Sequence, residues 1–185
     1  IGGTTATSSV GQFSVFPGAG SSTVQRIAST TLSSTARDIT VVGRYAYIPI
    51  NGGAAFEIWD VSNPENPVRM SQTSTSNNLN NVVVQGKYAY ITGTVAANGL
   101  QVWDVSNPSS PVLLATKTTN TAPMGIAVQG NYAYVADYNG GVNAANNLEI
   151  WDISDADNPT RVGQASLATT PHGITVSGKY AYIAG

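Results

Sequence analysis

Tyr88 follows Trp59, Tyr132 follows Trp103 and Tyr180 follows Trp151, in each case by 29 residues. An interval between aromatic landmarks that never varies demands one supersecondary unit built repeatedly, with the same strand lengths and turns each time. The landmarks sit in two recurring phrases. Gly43-Arg44-Tyr45-Ala46-Tyr47-Ile48 returns as Gly86-Lys87-Tyr88-Ala89-Tyr90-Ile91, as Gly130-Asn131-Tyr132-Ala133-Tyr134-Val135 and as Gly178-Lys179-Tyr180-Ala181-Tyr182-Ile183. Phe56-Glu57-Ile58-Trp59-Asp60-Val61-Ser62-Asn63-Pro64 returns at Leu100 to Pro108 and, more loosely, at Leu148 to Pro159.

Within one unit the spacing does vary, Tyr to Trp running 14, 15 and 19 residues. A segment that absorbs insertions while its flanks hold register is a surface connection, here around Val95 to Asn98 and Tyr138 to Asn147. The 29-residue interval also reaches the N-terminus, where Phe16 precedes Tyr45 by that distance and takes the place of a Trp. The chain is therefore expected to open and close in mid-unit: a half unit over 1–35, complete units over 36–79, 80–122 and 123–170, and a second half unit over 171–185.

Each complete unit offers four short apolar runs separated by turn residues, the pattern of an antiparallel meander. In the middle unit the expected strands are Asn81 to Val84, Tyr88 to Thr92, Leu100 to Val105 and Pro111 to Thr116. Gly86-Lys87 makes a tight hairpin, and Asn107-Pro108 with Pro111 interrupts the ladder before the last strand. In the third strand Leu100 and Val102 point one way and Trp103 and Val105 the other, so both faces of the sheet must be covered. Tyr88 and Tyr90 give the second strand a bulky face and Ala89 gives it a small one, so sheets stacked face to face place bulk against space. Radial repetition of such sheets predicts an all-β fold, a β-propeller of four-stranded antiparallel blades with four blade equivalents.

The pattern Val-x-Val-x-Gly-x-Tyr-Ala-Tyr-Val-Ala-Asp, followed by Leu-x-Ile/Val-Trp-Asp-Val-Ser-Asn-Pro, resembles the LVIVD repeat of bacterial and archaeal cell-surface proteins over Ala36 to Gly185. The resemblance implies a β-propeller placed outside the cell among other surface modules, in a family whose biochemical activity is largely unassigned. The chain departs from the repeat in carrying Trp59, Trp103 and Trp151 before the Asp, where the family often has a smaller apolar residue. By analogy alone, that change echoes WD-repeat propellers.

Composition narrows the function. Of 185 residues, 42% are hydrophobic and 10% charged, with a formal net charge of −2; a core can form, and no basic stripe exists to neutralise phosphates or hold an anionic membrane. Nucleic acid and membrane insertion are not expected. The absence of cysteine excludes disulfides and thiolate metal sites. Connections rich in Ser, Thr, Asn and Gly suit an extracellular or cell-surface protein, and a first residue that is Ile1 rather than Met suits a processed precursor or a fragment alike. The expected role is a structural or adhesive scaffold, not an enzyme, without cofactors, whose partners are proteins, including other copies of itself. The split terminal units admit closure into a four-bladed ring, head-to-tail pairing with another copy through complementary half-blades, or membership of a larger propeller. The last two are preferred because four-bladed rings are uncommon. The alternative role is a propeller that binds carbohydrate or a small ligand.

Candidate site residues follow from the repeat. Arg37, Asn80, Met124 and His172 occupy one position in successive units, at the entry to the innermost strand, and differ chemically on matching backbones. They are the candidate ligand-binding set at the channel mouth. Tyr138, at the start of the longest insertion and outside the repeat, is a candidate exposed contact, and the 138–147 connection is the other part of that alternative site. Asp60, Asp104 and Asp152 each follow a Trp and end a strand, where a carboxylate accepts turn N–H groups. Asp152, Asp155 and Asp157 with Asn158 form the one acidic cluster that a Ca²⁺ loop could use; it lacks the Gly and the distal Glu of an EF-hand, so the expectation is a solvated turn and no metal. A single histidine without cysteine builds neither a triad nor a usual zinc site. Gly18-Ala19-Gly20-Ser21-Ser22 lacks the Lys and the following helix of a phosphate loop and is expected to be a turn. The repeated tyrosines and tryptophans are expected to pack the core in preference to forming a sugar platform.

Overall fold

The structure, a computed structural model, describes residues 11–16, 26–138, 147–168 and 170–185. Three complete four-stranded antiparallel sheets and two two-stranded ones follow one another along the chain. Strands β1 (Gln12–Val15) and β2 (Ala28–Thr31) form the first half-blade. Blade 1 comprises β3 (Thr40–Val42), β4 (Tyr45–Ile50), β5 (Ala55–Asp60) and β6 (Val68–Ser74). Blade 2 comprises β7 (Leu79–Gln85), β8 (Tyr88–Gly93), β9 (Leu100–Asp104) and β10 (Val112–Lys117), with a short 3₁₀ turn at Ala96–Asn98 between β8 and β9. Blade 3 comprises β11 (Ala122–Gln129), β12 (Tyr132–Tyr138), β13 (Leu148–Asp152) and β14 (Thr160–Ala165), and the second half-blade is β15 (Gly173–Ser177) with β16 (Tyr180–Ala184). Every sheet is a meander with neighbours in sequence order, as expected for propeller blades. The phosphate-loop-like run at 18–22 lies outside the described residues.

Local chemistry explains each break. The hairpin between first and second strands turns on Gly43, Gly86, Gly130 and Gly178, all with φ near 60°, a left-handed conformation that residues with a Cβ adopt only at a cost. In the middle unit β7 is longer than expected at both ends. The third strand ends one residue early and the fourth is shifted by one: Val105 leaves the ladder although its N–H still donates to the Lys87 carbonyl at 2.8 Å, and Pro111, having no N–H, stands just before β10.

The core is not one mass but three seams, each lying between successive blades. Tyr47, Phe56 and Ile58 of blade 1 bury against Leu79, Val82, Ala89 and Trp103 of blade 2. Tyr90, Leu100 and Val102 of blade 2 bury against Ile126, Ala133, Val135 and Trp151 of blade 3 in the same way. At the first seam Phe13 of the half-blade meets Trp59 edge-on, with ring centroids 5.4 Å apart, and Phe56, at the equivalent position of blade 1, meets Trp103 at 5.6 Å with the rings tilted. Within each sheet, Ala46, Ala89 and Ala133 are the pairing partners of Trp59, Trp103 and Trp151.

Among the described residues the two half-blades are separate sheets, with no pairing between them. Phe16, the residue at the Trp position of the first half-blade, is 53% exposed, whereas the three tryptophans are buried. It lines an apolar cavity of about 320 Å³ with Phe13, Val15, Ile39, Val41 and Val61.

Candidate functional site

The structure separates the channel-mouth set into different jobs. Asn80 is buried and works as a strut between blades: its Nδ2 donates to the Pro123 carbonyl at 2.8 Å and lies 3.9 Å from the Met124 Sδ, while its Oδ1 accepts from Asn51 Nδ2 at 3.3 Å. His172 is exposed, its backbone N–H donates to the Ala184 carbonyl, and its ring lies 6.2 Å from that of Tyr138. Arg37 lines a cavity of about 210 Å³ under the first half-blade with Gln12, Phe13, Asp38 and Ile48. The contacts thus join Asn80 to Met124 and Tyr138 to His172. Most of the 138–147 connection lies outside the described residues.

The carboxylates after each tryptophan close the turns expected of them. Asp60 Oδ1 accepts from Ser62 N at 2.9 Å, Asp104 Oδ1 from Ser106 N at 2.8 Å and Asp152 Oδ1 from Ser154 N at 2.9 Å. Hydrogen bonding to the charged form lowers all three pKa values: Asp60 through Arg44 and then Ser62, Asp104 through Ser106 and then Lys87, Asp152 through Ser154. Asp155 Oδ1 accepts from Asp157 N, which reproduces Asn63 with Glu65 N and Asn107 with Ser109 N. An acidic residue here does what an amide does in the other blades. Among the described residues no group of three or more His, Cys, Asp or Glu side chains is arranged to hold a metal.

A buried polar feature repeats in each complete blade and was not anticipated from the sequence. The Trp59 indole N–H donates to Glu57 Oε2 at 2.8 Å, Trp103 to Gln101 Oε1 at 3.0 Å and Trp151 to Glu149 Oε2 at 2.8 Å. All three acceptors are buried, so each satisfies a donor that burial would otherwise orphan. The second oxygen of Glu57 accepts from Ser33 N, and that of Glu149 from Asn120 N, which tie the linker entering the blade to its third strand. Both glutamates also face an arginine of the fourth strand, Arg69 at 3.6 Å and Arg161 at 3.2 Å. Each guanidinium lies over the tryptophan ring, 5.7 Å from its centroid. The signal was present as Glu57-Ile58-Trp59, Gln101-Val102-Trp103 and Glu149-Ile150-Trp151, a polar residue two before each Trp in a strand whose faces are both covered.

Asp137 is the other missed residue. It is fully buried near the end of β12, and burial, with the neighbouring Glu149 carboxylate, pushes its carboxyl up to about 8. The equivalent positions in the other blades are Ile50 and Gly93.

A four-fold meander with this spacing now has a sequence correlate. The profile of the LVIVD repeat matches residues 34–75, 78–119, 122–166 and 171–185. The chain belongs to the LVIVD-repeat family. Its repeat units coincide with the three complete blades and the second half-blade. No curated protein matches the chain. Among solved structures, the LVIVD-repeat chain is similar to the computationally designed Ika4 protein at 8% identity and a TM-score of 0.65, covering 82% of this chain and 86% of that one. It is also similar to a functionally unknown protein from Desulfotomaculum acetoxidans at 16% identity and a TM-score of 0.76, covering 94% and 56%. A third similar structure, described as a "putative 6-phosphogluconolactonase" from Bacteroides uniformis, gives 14% identity and a TM-score of 0.78, covering 93% and 57%. At these identities the likeness is one of fold. The LVIVD-repeat chain spans a little over half the length of the last two.

Proposed function

We propose that the LVIVD-repeat chain is a structural or adhesive module of the cell surface, without catalysis, that assembles head to tail with other copies through its half-blades. The observation that carries this reading is a pair of matching exposures. Tyr182 of β16 is 56% exposed, although its counterparts Tyr47 and Tyr90 are buried against the next blade. Ile39 and Val41 of blade 1 are 45% and 58% exposed, although Val82 and Ile126, the counterparts of Ile39, are buried in seams with the second and third strands of the preceding blade, Tyr47 and Tyr90 among them. These are the two sides of one seam. If β15 and β16 of one copy pair with β1 and β2 of the next, a four-stranded blade results whose tyrosine face covers Ile39 and Val41. The contact is heterologous, so it propagates into a filament where the rotation between copies does not close a ring. Low charge and Ser/Thr/Asn-rich connections support an extracellular setting.

Sedimentation of the 185-residue chain over a wide concentration range tests the assembly. The expected result is concentration-dependent association that Tyr182→Arg abolishes while the circular dichroism spectrum is retained. A strictly monomeric particle at the highest concentration contradicts it. The second reading, a carbohydrate or small-ligand site, is favoured by the exposed Tyr138–His172 ring pair beside the longest connection; a glycan array with no binder removes it.

A further inference from the structure

Blade 3 places two carboxyl groups in contact where every other blade has none or one. Asp137 on β12 and Glu149 on β13 are both fully buried and lie side by side, accepting from the successive backbone amides of Thr121 and Asn120. Glu149 is already committed: Oε2 accepts from the Trp151 indole, and Oε1 accepts from Asn120 N and from Arg161, whose side chain is 37% exposed. Asp137 is not: Oδ2 lies 3.4 Å from Thr121 N, and Oδ1 has no partner although it is sealed from solvent. Two buried carboxylates against one guanidinium leave an uncompensated negative charge, which a protein interior does not tolerate. A metal ion is a poor remedy, because three donors already occupy the glutamate oxygens. A proton on Asp137, donated to Glu149, removes the excess charge and supplies the missing bond.

The position gives the proton a consequence. The Asp137 N–H donates to the Asn147 carbonyl at 2.8 Å, so Asp137 and Asn147 are the two posts at the base of the 138–147 connection. Asn147 Oδ1 in turn accepts from Leu167 N. We infer that Asp137 and Glu149 share one proton in the folded chain, and that this proton latches the base of the longest connection. Other ionisable groups do not supply an alternative: β11 brings none to the pair, β14 brings Arg161, and Tyr138 and His172 lie outside the base, paired with each other. The folded pair holds its proton more tightly than an exposed aspartate does. Opening of the base is thus resisted most at acid pH, and the resistance is lost as pH rises from about 4 to about 8.

Two measurements on the 185-residue chain test this. Carbon-13 NMR of the Asp137 carboxyl reads the proton directly, and it is expected to remain protonated at pH 6 and to titrate near 8. Amide hydrogen exchange at Asp137, corrected for intrinsic base catalysis, is expected to lose protection by up to about tenfold per pH unit between about pH 4 and 8 and then to level off. In Asp137→Asn, which keeps a donor to Glu149 but cannot titrate, the protection is expected to be flat with pH. A carboxyl that titrates near pH 4 in the unaltered chain overturns the shared proton. A protonated carboxyl with pH-independent exchange overturns the latch.

Discussion

Blade 2 and its two neighbours solve one problem with different chemistry. Blades 1 and 3 hold the tryptophan indole with a buried glutamate and balance the charge with an arginine on the fourth strand, Arg69 or Arg161, which also caps the ring. Blade 2 has the neutral Gln101 as acceptor, and the position cross-strand from its tryptophan is Leu113 in place of arginine. The charge and its counterion come and go together within a single chain. The requirement common to all three blades is therefore an acceptor for the indole. The glutamate is one way to meet it, and it obliges the arginine, because a buried carboxylate without a partner is costly.

The comparison is broken most forcefully by removing the acceptor. Glu57→Leu leaves the Trp59 indole and Ser33 N–H without partners and frees Arg69, and it is expected to cost about 3 kcal/mol in a denaturant melt. Gln101→Leu strands one indole and the Asn77 side chain, and it is expected to cost about 2 kcal/mol. Equal losses would mean that the charge in blade 1 adds nothing.

The comparison is sharpened by converting one blade into the other. Gln101→Glu alone puts an unpaired carboxylate into blade 2 and is expected to cost about 2 kcal/mol at neutral pH; adding Leu113→Arg is expected to recover at least about 1 kcal/mol, measured as the coupling in a double-mutant cycle. The buried Asn77 Nδ2, which has no partner, can turn toward the new carboxylate. Additive effects would show that the pairing of glutamate with arginine is incidental.

The smallest effect belongs to the turn carboxylates. Asp104→Asn keeps the acceptor for Ser106 and loses only the exposed contact to Lys87, 3.7 Å away, for an expected cost well under about 1 kcal/mol. Its sign with pH is opposite to that of Asp137. A carboxyl whose folded pKa is depressed stabilises above its unfolded value of about 4 and loses that contribution as pH falls. The variant is therefore expected to melt like the parent below about pH 3 and slightly lower at pH 6. A deficit that grows toward acid pH would contradict the assignment.

How much of this was legible follows from what each feature depends on. The blades were legible because strand length, turn glycines and the spacing of Tyr and Trp are set within some 40 residues and repeated, so errors in one unit are corrected by the next. The turn role of Asp104 was equally local, two residues from its donor. Asn80 was not legible as a strut: its place at a strand entry was clear, but its partner Pro123 lies 43 residues away on the next blade. Asp137 stands at the end of a strand beside a surface connection, where an aspartate is ordinary and nothing local singles it out. Only the fold shows it facing Glu149 with solvent excluded. The third-strand acceptors were visible as a pattern, and they were passed over because the tryptophan beside them accounted for the strand as apolar core.

The indole protons test the central claim most directly. In a ¹H–¹⁵N spectrum of the 185-residue chain the account predicts three tryptophan side-chain resonances, all slow to exchange with deuterated water, with that of Trp103 alone moved toward fast exchange by Gln101→Leu. Rapid exchange of all three in the unaltered chain, or no response of Trp103 to loss of its acceptor, would contradict the claim that each blade is organised around a buried acceptor two residues before its tryptophan.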